Sequence, residues 1–243
     1  MKDGKYTYEE FLEIIRMLRG EGGCPWDREQ THQSLKPCMT EEAAEVVAAI
    51  RIFGQTGDCE NLVEELGDVM LQVVMHAQIG SEERLFDMED VIDGVARKMV
   101  RRHPHVFGEV KVDGSAQVLD NWEDIKKKEK EGRASAESPL REIPAELPAL
   151  TRACKVLKRA DRLYEPQPDY AEAARLLREA ADGLEELKPA DYDPQITRLV
   201  GDALLAISQI SRICRLSQEQ ILADRTEDLI DGWEPRINIH KKP

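Results

Sequence analysis

Apolar residues recur at intervals of three or four positions along most of the chain, a spacing typical of one face of an α-helix. No segment shows the sustained alternation of apolar and polar residues that a strand would need. The first half predicts helices at residues 8–19, 60–78, 88–102 and 118–131, and a further one that buries Val46, Val47, Ile50 and Phe53. The second half predicts helices at residues 149–163, 170–187, 196–215 and 217 to about 230. We therefore expect an all-α protein.

Helix-breaking and capping residues predict where some of these helices begin and end. Asp27 is expected to cap a short helix that runs to Leu35 and stops at Lys36-Pro37. Thr40 is then the expected N-cap of the next helix. A break from Gly54 to Asp58 separates this helix from its successor and allows the two to fold back antiparallel.

The organisation predicted for the chain is two tandem helical-bundle domains, at residues 1–131 and 149–243. The segment 132–148 between them is rich in Pro, Ser and Ala and lacks helical periodicity, so we interpret it as a linker. The second half weakly repeats the first, with Gly201-Asp202 in the place of Gly67-Asp68. Its acidic set is broken, because Leu199 stands where the first half has Glu65. We expect the second domain to keep the bundle and to lack the site.

Composition narrows the classes of function. The chain has 243 residues and a formal net charge of -14, which argues against a general nucleic-acid-binding surface. Its five cysteines form no CxxC pair and are odd in number, so reduced thiols and no zinc site are expected. The first residues lack the apolar stretch of a secretory signal, and no apolar segment is long enough to span a bilayer. A cytoplasmic location without membrane contact is expected.

Two pairs of acidic residues make the strongest chemical signal. Glu42 and Glu45 lie on one predicted helix, and Glu65 and Asp68 lie on the next. Residues three apart share a helix face, so each helix presents two carboxylates together. These acids could form an ordinary solvated face, since the chain is rich in Glu. Their apolar surroundings favour a divalent-metal site instead, and Gly67 between them is explained by the close approach of a helix or a ligand.

A basic cluster at Lys98, Arg101 and Arg102 on a neighbouring predicted helix is suited to phosphate oxygens. Carboxylate ligands together with a substrate phosphate are a common arrangement for Mg²⁺. The two clusters together therefore indicate metal-assisted chemistry on a phosphorylated substrate.

Five ordered motifs then identify a family resemblance. The segments are GGCPWDREQT, EEAAE, ELGD, KMVRRHPHVFGE and WEDIK. Together they resemble the MazG-type nucleoside triphosphate pyrophosphohydrolases of the all-α NTP pyrophosphatase superfamily, which carry EExxE, a spacer and ExxD. The resemblance is strong over residues 7–131 and loose over residues 145–232. It implies an enzyme that hydrolyses an NTP to NMP and pyrophosphate with Mg²⁺ or Mn²⁺, as a homodimer of tandem helical bundles.

The resemblance also implies residue roles. The metal ligands would be Glu42, Glu45, Glu65 and Asp68, with Glu41 orienting ligands or the attacking water from outside the metal's own ligand set. The substrate-binding residues would be Lys98, Arg101 and Arg102 at the phosphates, with Trp122 and Lys126 at the base or phosphate end. Metal-activated water would attack the α-phosphorus, so no Ser or Cys nucleophile is needed.

One departure from the family pattern leaves an alternative open. Such proteins often carry the acidic motif in both halves, whereas here only the first copy is intact. The leading hypothesis is a hydrolase that uses the N-terminal half and takes nucleoside triphosphates, with either broad or altered-nucleotide preference. The alternative is a catalytically degenerate helical scaffold that binds a nucleotide or a protein partner.

Overall fold

The computed structural model describes residues 4–115 and 138–240, together with residues 117, 118, 121, 122, 125 and 129. Within these residues the regular structure is helical and no strand occurs, which confirms the predicted all-α class. The chain divides into two compact units, unit 1 at Met1–Glu131 and unit 2 at Gly132–Pro243. No helix of the described chain is long and apolar enough to cross a membrane.

The helices of unit 1 are α1 Tyr8–Arg19, α2 Pro25–Glu29, α3 Lys36–Thr56, α4 Glu60–Glu82, α5 Met88–Arg102 and α6 Pro104–Phe107. The predicted helix at 118–131 falls mostly outside the described residues, although 118, 121, 122, 125 and 129 are helical. The helices of unit 2 are α7 Ala149–Leu163, α8 Tyr170–Glu185, α9 Pro194–Ile213 and α10 Gln218–His240. The predicted bounds of α1, α5 and α7 are confirmed.

The predicted start of α3 was wrong. The short helix α2 ends at Glu29 instead of continuing to Leu35, and Lys36-Pro37 begins α3 rather than stopping a helix. Proline is tolerated there because the amide it lacks has no partner in the first turn of a helix. Thr40 lies inside α3, where its hydroxyl donates to the Lys36 carbonyl at 3.3 Å. The break is also shorter than predicted, since α3 continues to Thr56 and ends at Gly57 with φ of 75°.

The core of unit 1 lies where α1 meets the C-terminal half of α4. Its buried members are Ile15, Leu35, Val74, Met75 and Ile79. Arg19 ties the same elements together with a side chain that is only 5% exposed. Its guanidinium donates to the Glu82 carboxylate at 3.0 and 2.7 Å and to the carbonyls of Asp27 and Gln30.

The N-terminal half of α4 and its partner α3 have a different environment. Val47, Ile50 and Phe53, predicted to form the buried side of α3, are 46%, 53% and 43% exposed, and Leu66 of α4 is 51% exposed. Ala49 is the buried residue of α3. The prediction of burial was wrong for the single chain, because periodicity identifies an apolar face without identifying what covers it. We name Val47, Ile50, Phe53, Val63 and Leu66 the open apolar face.

Unit 2 is built on α8 and α9, which pack closely along their length, with α7 against α9. Ala173, Ala180 and Leu199 contribute to its core. The C-terminal part of the predicted linker packs within this unit. Ile143 is 4% exposed, and Arg159 of α7 donates to the Pro139 carbonyl at 2.5 Å.

Candidate metal and phosphate site

The antiparallel α3–α4 hairpin brings together acidic residues from both of its helices. One carboxylate oxygen from each of Glu42, Glu45 and Glu65 lies within 4.8 Å of the others. Glu42 and Glu65 are partly buried, whereas Glu45 is exposed. The three-residue spacing puts Glu42 and Glu45 on one face of α3, and the sharp turn after Gly57 folds α4 back so that Glu65 faces them.

The charges of this cluster oppose one another. Partial burial, followed by the nearby charge of Asp68 and then of Glu45, raises the pKa of Glu42 above its usual value, and Glu65 adds to the effect. Asp68 is therefore close enough to Glu42 to act on it. Carboxylates this close repel unless a proton or a cation compensates them. No lysine or arginine forms an ion pair with these four acids in the described part of the chain.

Three further residues of the hairpin lie close to these acids in the sequence. Asn61, one turn before Glu65, donates its amide to the Glu65 carboxylate at 2.6 Å. Glu41 is exposed and is not a member of the three-carboxylate group. A methyl group added at Gly67 would meet no described atom within 4 Å, so close helix approach does not explain this glycine within the chain. Its explanation by a ligand stays a prediction.

The predicted phosphate-binding cations lie at the end of α5, which packs against α4. Lys98 is partly buried, and it forms no ion pair with a described residue. Arg101 and Arg102 both bind the carboxylate of Glu129, with shortest distances of 2.6 and 2.5 Å. Trp122 stacks on Arg102, with the guanidinium carbon 5.3 Å from the ring centroid. Lys126 lies outside the described residues.

The carboxyl of Glu129 has a strongly lowered pKa. Hydrogen bonds from Arg102 and then from Arg101 lower the pKa of its carboxyl to about 2. Its side chain is 13% exposed. The two guanidinium groups therefore stabilise the ionised form of this carboxyl.

Sequence reasoning missed both Asn61 and Glu129. Glu129 follows Trp122 by seven residues and Ile125 by four, so helical spacing alone would have placed it on their face. The lysines around Glu129 in the sequence hide this signal, because a lysine-rich segment is typical of a solvated helix end. Asn61 carried a weaker signal, since an amide four residues before a carboxylate is common on any helix.

Comparison with known proteins identifies the family of the chain. Residues 30–107, which contain the acidic cluster and the basic end of α5, match the MazG nucleotide pyrophosphohydrolase domain. The chain is 37% identical over 242 residues to the nucleoside triphosphate pyrophosphohydrolase/pyrophosphatase MazG of Thermotoga maritima, a match that covers 100% of this chain and 90% of that protein.

Two further relatives each match a little under two thirds of the chain. The uncharacterized protein YabN of Bacillus subtilis is 53% identical over 161 residues, which are 65% of this chain and 32% of that protein. The nucleoside triphosphate pyrophosphohydrolase of Escherichia coli is 43% identical over 152 residues, which are 62% of this chain and 56% of that protein. The match therefore spans about a third and about half of these two relatives. Because the Thermotoga relative is matched over nearly its full length, the chain belongs to the MazG family of nucleotide pyrophosphohydrolases, and the predicted family is confirmed.

Proposed function

We propose that this protein hydrolyses nucleoside triphosphates to nucleoside monophosphate and pyrophosphate, using Mg²⁺ at the α3–α4 hairpin of unit 1. The observation that carries the proposal is the convergence of Glu42, Glu45 and Glu65 without a basic partner among the described residues. Family membership and the activity for which the Thermotoga and Escherichia relatives are named support the same reaction.

The donor set fits a hard divalent cation. Carboxylate oxygens are the ligands that Mg²⁺ and Mn²⁺ prefer. The pKa of Glu42 is raised first by burial and then by the charges of neighbouring carboxylates, and a cation would relieve this repulsion. Glu42, Glu45, Glu65 and Asp68 would hold the ion, and Asn61 would fix the orientation of the Glu65 carboxylate. When bound, the cation would lower the pKa of water and offset the charge that develops on the phosphoryl oxygens.

The remaining residues act on the substrate. Arg101 and Arg102 present planar guanidinium groups, which suit the oxygens of a triphosphate chain, and Lys98 adds a point charge on the same helix. Trp122 and Lys126 would contribute at the base or phosphate end. The oxygen of water bonds to the α-phosphorus, and the bond from that phosphorus to the bridging oxygen of the leaving pyrophosphate breaks. Glu41, the neighbour of Glu42 in the chain, would orient the attacking water.

Product identity tests this proposal directly. Purified protein is incubated with each NTP or dNTP and Mg²⁺, and the products are separated by ion-exchange chromatography. The expected products are NMP and pyrophosphate, and turnover should stop when a chelator removes the metal. Release of NDP and orthophosphate would contradict attack at the α-phosphorus.

The open apolar face supports a second part of the proposal, that the working form is a homodimer. Five large apolar side chains of α3 and α4 remain 43–66% exposed in the single chain, on the hairpin that carries the acids. A second copy of the same hairpin would bury this face with complementary apolar surface. Light scattering should give twice the chain mass, and Ile50→Asp should shift the protein to monomer; a wild-type protein that stays monomeric would overturn this part.

A catalytically degenerate scaffold is the alternative function. The broken acidic set of unit 2 is compatible with it, and the alternative predicts nucleotide binding without turnover. Calorimetry with an NTP, followed by a long incubation and product separation, distinguishes the two functions. Binding with no NMP formed would favour the scaffold.

A further inference from the structure

The Glu129 carboxylate holds two guanidinium groups at once. It accepts from Arg101 Nε at 2.6 Å, and it accepts from Arg102 through Nη2 at 2.5 Å and through Nε at 3.2 and 3.3 Å. Its contact with Arg102 is therefore the side-on, two-donor form that fixes the plane of the guanidinium. The contacts join residues 27 and 28 positions apart in the chain, so they attach the residue 129 region to the end of α5.

Trp122 restrains Arg102 from a second direction. The guanidinium carbon lies over this ring, 5.3 Å from its centroid, whereas Glu129 binds the Nε and Nη2 groups. The ion pair and the cation–π contact together restrict the rotation of the guanidinium. Long arginine side chains otherwise lose much conformational freedom when they bind a ligand.

The contacts leave donors for a ligand. A guanidinium carries five N–H groups. The contacts among described residues engage the Nε and one Nη2 proton of Arg102 and the Nε proton of Arg101. The other N–H groups of both arginines form no hydrogen bond with a described residue. Two cations held by one anion also keep a net positive charge, which a polyphosphate would neutralise.

We propose that Glu129 is a positioning residue, which orients Arg101 and Arg102 before the triphosphate arrives. This inference deepens the proposed function, since it assigns a role to Glu129 at the same site. The competing possibility is that Glu129 occupies the phosphate position and must be displaced by substrate. The two roles predict opposite effects of removing the carboxylate, so one set of variants separates them.

The first experiment measures kcat and KM for an NTP with Glu129→Gln and Glu129→Ala. Positioning predicts that kcat/KM falls in the order Glu, Gln, Ala, because Gln keeps one acceptor oxygen, with KM for Ala raised at least about tenfold. Displacement predicts the reverse order, with a lower KM for Ala. A purely structural role would reduce the active fraction and so lower kcat with KM unchanged. Either of the last two results, or no change, would overturn the proposal.

Asp93→Ala is the matched control. Asp93 forms another ion pair on α5, with Arg97, but both side chains are well exposed, at 58% and 75%. Removing this carboxylate from the same helix should leave KM within about twofold of wild type, since exposed pairs contribute little. An equal rise in KM for this control would show that helix stability rather than positioning is responsible.

A binding experiment tests the role of Glu129 separately from the proposed hydrolysis. Calorimetry with a non-hydrolysable NTP analogue gives Kd for wild type, Glu129→Ala, Arg102→Ala and the double variant, without any need for turnover. If Glu129 acts through Arg102, Glu129→Ala should weaken analogue binding about tenfold in the wild-type background. In the Arg102→Ala background the same substitution should weaken binding only about twofold. The same loss in both backgrounds would overturn the inference. A wild type that binds the analogue but never forms NMP would overturn the proposed reaction alone.

Discussion

The α3–α4 hairpin of unit 1 and the α8–α9 hairpin of unit 2 differ in whether their acidic side chains have basic partners. In unit 1, Glu42, Glu45 and Glu65 lie together, and no cation pairs with them in the described part of the chain. In unit 2, Glu179 pairs with Arg175 on its own helix, and Asp202 pairs with Arg198 at 3.2 Å. An acid with its own arginine needs nothing further, whereas an uncompensated cluster needs a proton or a cation.

The interfaces between the two helices of each hairpin also differ. Leu199, which the sequence comparison matches to Glu65, is 8% exposed and packs against Gly183. Leu199 is one of the residues that line a cavity of about 530 Å³, and the others include Leu157, Leu176 and Leu205 as well as the acids Glu179 and Asp202. Unit 2 therefore has a buried leucine at the position that Glu65 holds in unit 1, although two acids remain beside it. The helical hairpin folds without the complete acidic cluster.

The largest expected effect comes from removing a carboxylate from the acidic cluster of unit 1. Glu65→Gln removes one charged ligand while it keeps the size of the side chain, so we expect kcat/KM for an NTP to fall at least about a hundredfold. Glu64→Gln is the matched control, because this neighbour is exposed on the same helix and should leave the rate within about twofold. Steady-state assays of NMP formation check both. Equal rates for Glu65→Gln and wild type would remove this residue from the site.

The next largest effect is expected at the buried Leu199 of unit 2. Leu199→Glu restores the acid by analogy with unit 1, but it places a carboxylate at a buried position against Gly183. We expect it to destabilise unit 2 by about 3 kcal/mol, since a buried unpaired charge is costly. Urea denaturation followed by circular dichroism measures this change. An unchanged midpoint would show that this position tolerates an acid, and it would contradict the proposed difference between the two hairpins.

A smaller effect concerns the stability of metal-free protein. The folded state raises the pKa of Glu42, so it binds that proton more tightly than the unfolded chain does. The contribution of this carboxyl to stability is therefore present at low pH and is lost as pH rises through its pKa. In chelator at neutral pH, Glu42→Gln should raise Tm by about 2 °C, and Mg²⁺ should then raise it less than in wild type. Calorimetric scans with Glu64→Gln as control measure this; a lower Tm for the variant would contradict repulsion in the cluster.

The smallest expected effect is at Asp202. Because Arg198 already pairs with this carboxylate on an exposed helix face, Asp202→Asn should change neither turnover nor stability beyond about 0.5 kcal/mol. The same NMP assay and urea titration measure the result. A marked loss of activity would mean that unit 2 takes part in the reaction, and would overturn the view that the site belongs to unit 1.

Local signals explain which parts of the fold the sequence could predict. The start of α1 is marked by a capping box between Thr7 and Glu10, and Asp87 caps α5 in the same way, so these ends follow from a few adjacent residues. Lys36-Pro37 failed as a signal because proline is compatible with both the end and the first turn of a helix. The predicted identity of unit 2 as a degenerate repeat stays a prediction.

Contacts between distant positions explain what the sequence could not predict. The acidic pairs were visible because each lies within one helix, and their apolar surroundings suggested that they meet. The contact of Glu129 with Arg102 spans 27 residues, and no spacing rule predicts such a pair. Exposure of Ile50 and Phe53 depends equally on what packs over α3, which periodicity cannot show. The roles of the acidic and basic residues stay predictions until the variants above are measured.

The position of the open apolar face has a thermodynamic consequence. Val47 follows Glu45 by two residues and Ile50 follows it by five, so the acids and the apolar face occupy consecutive turns of α3. A second copy that covers the face would also withdraw water from the carboxylates and strengthen their repulsion. Cation binding and self-association are then reciprocally coupled, because each removes a cost that opposes the other. The monomer–dimer equilibrium of this chain would therefore report its metal content, and simple dilution in chelator would be enough to reveal it.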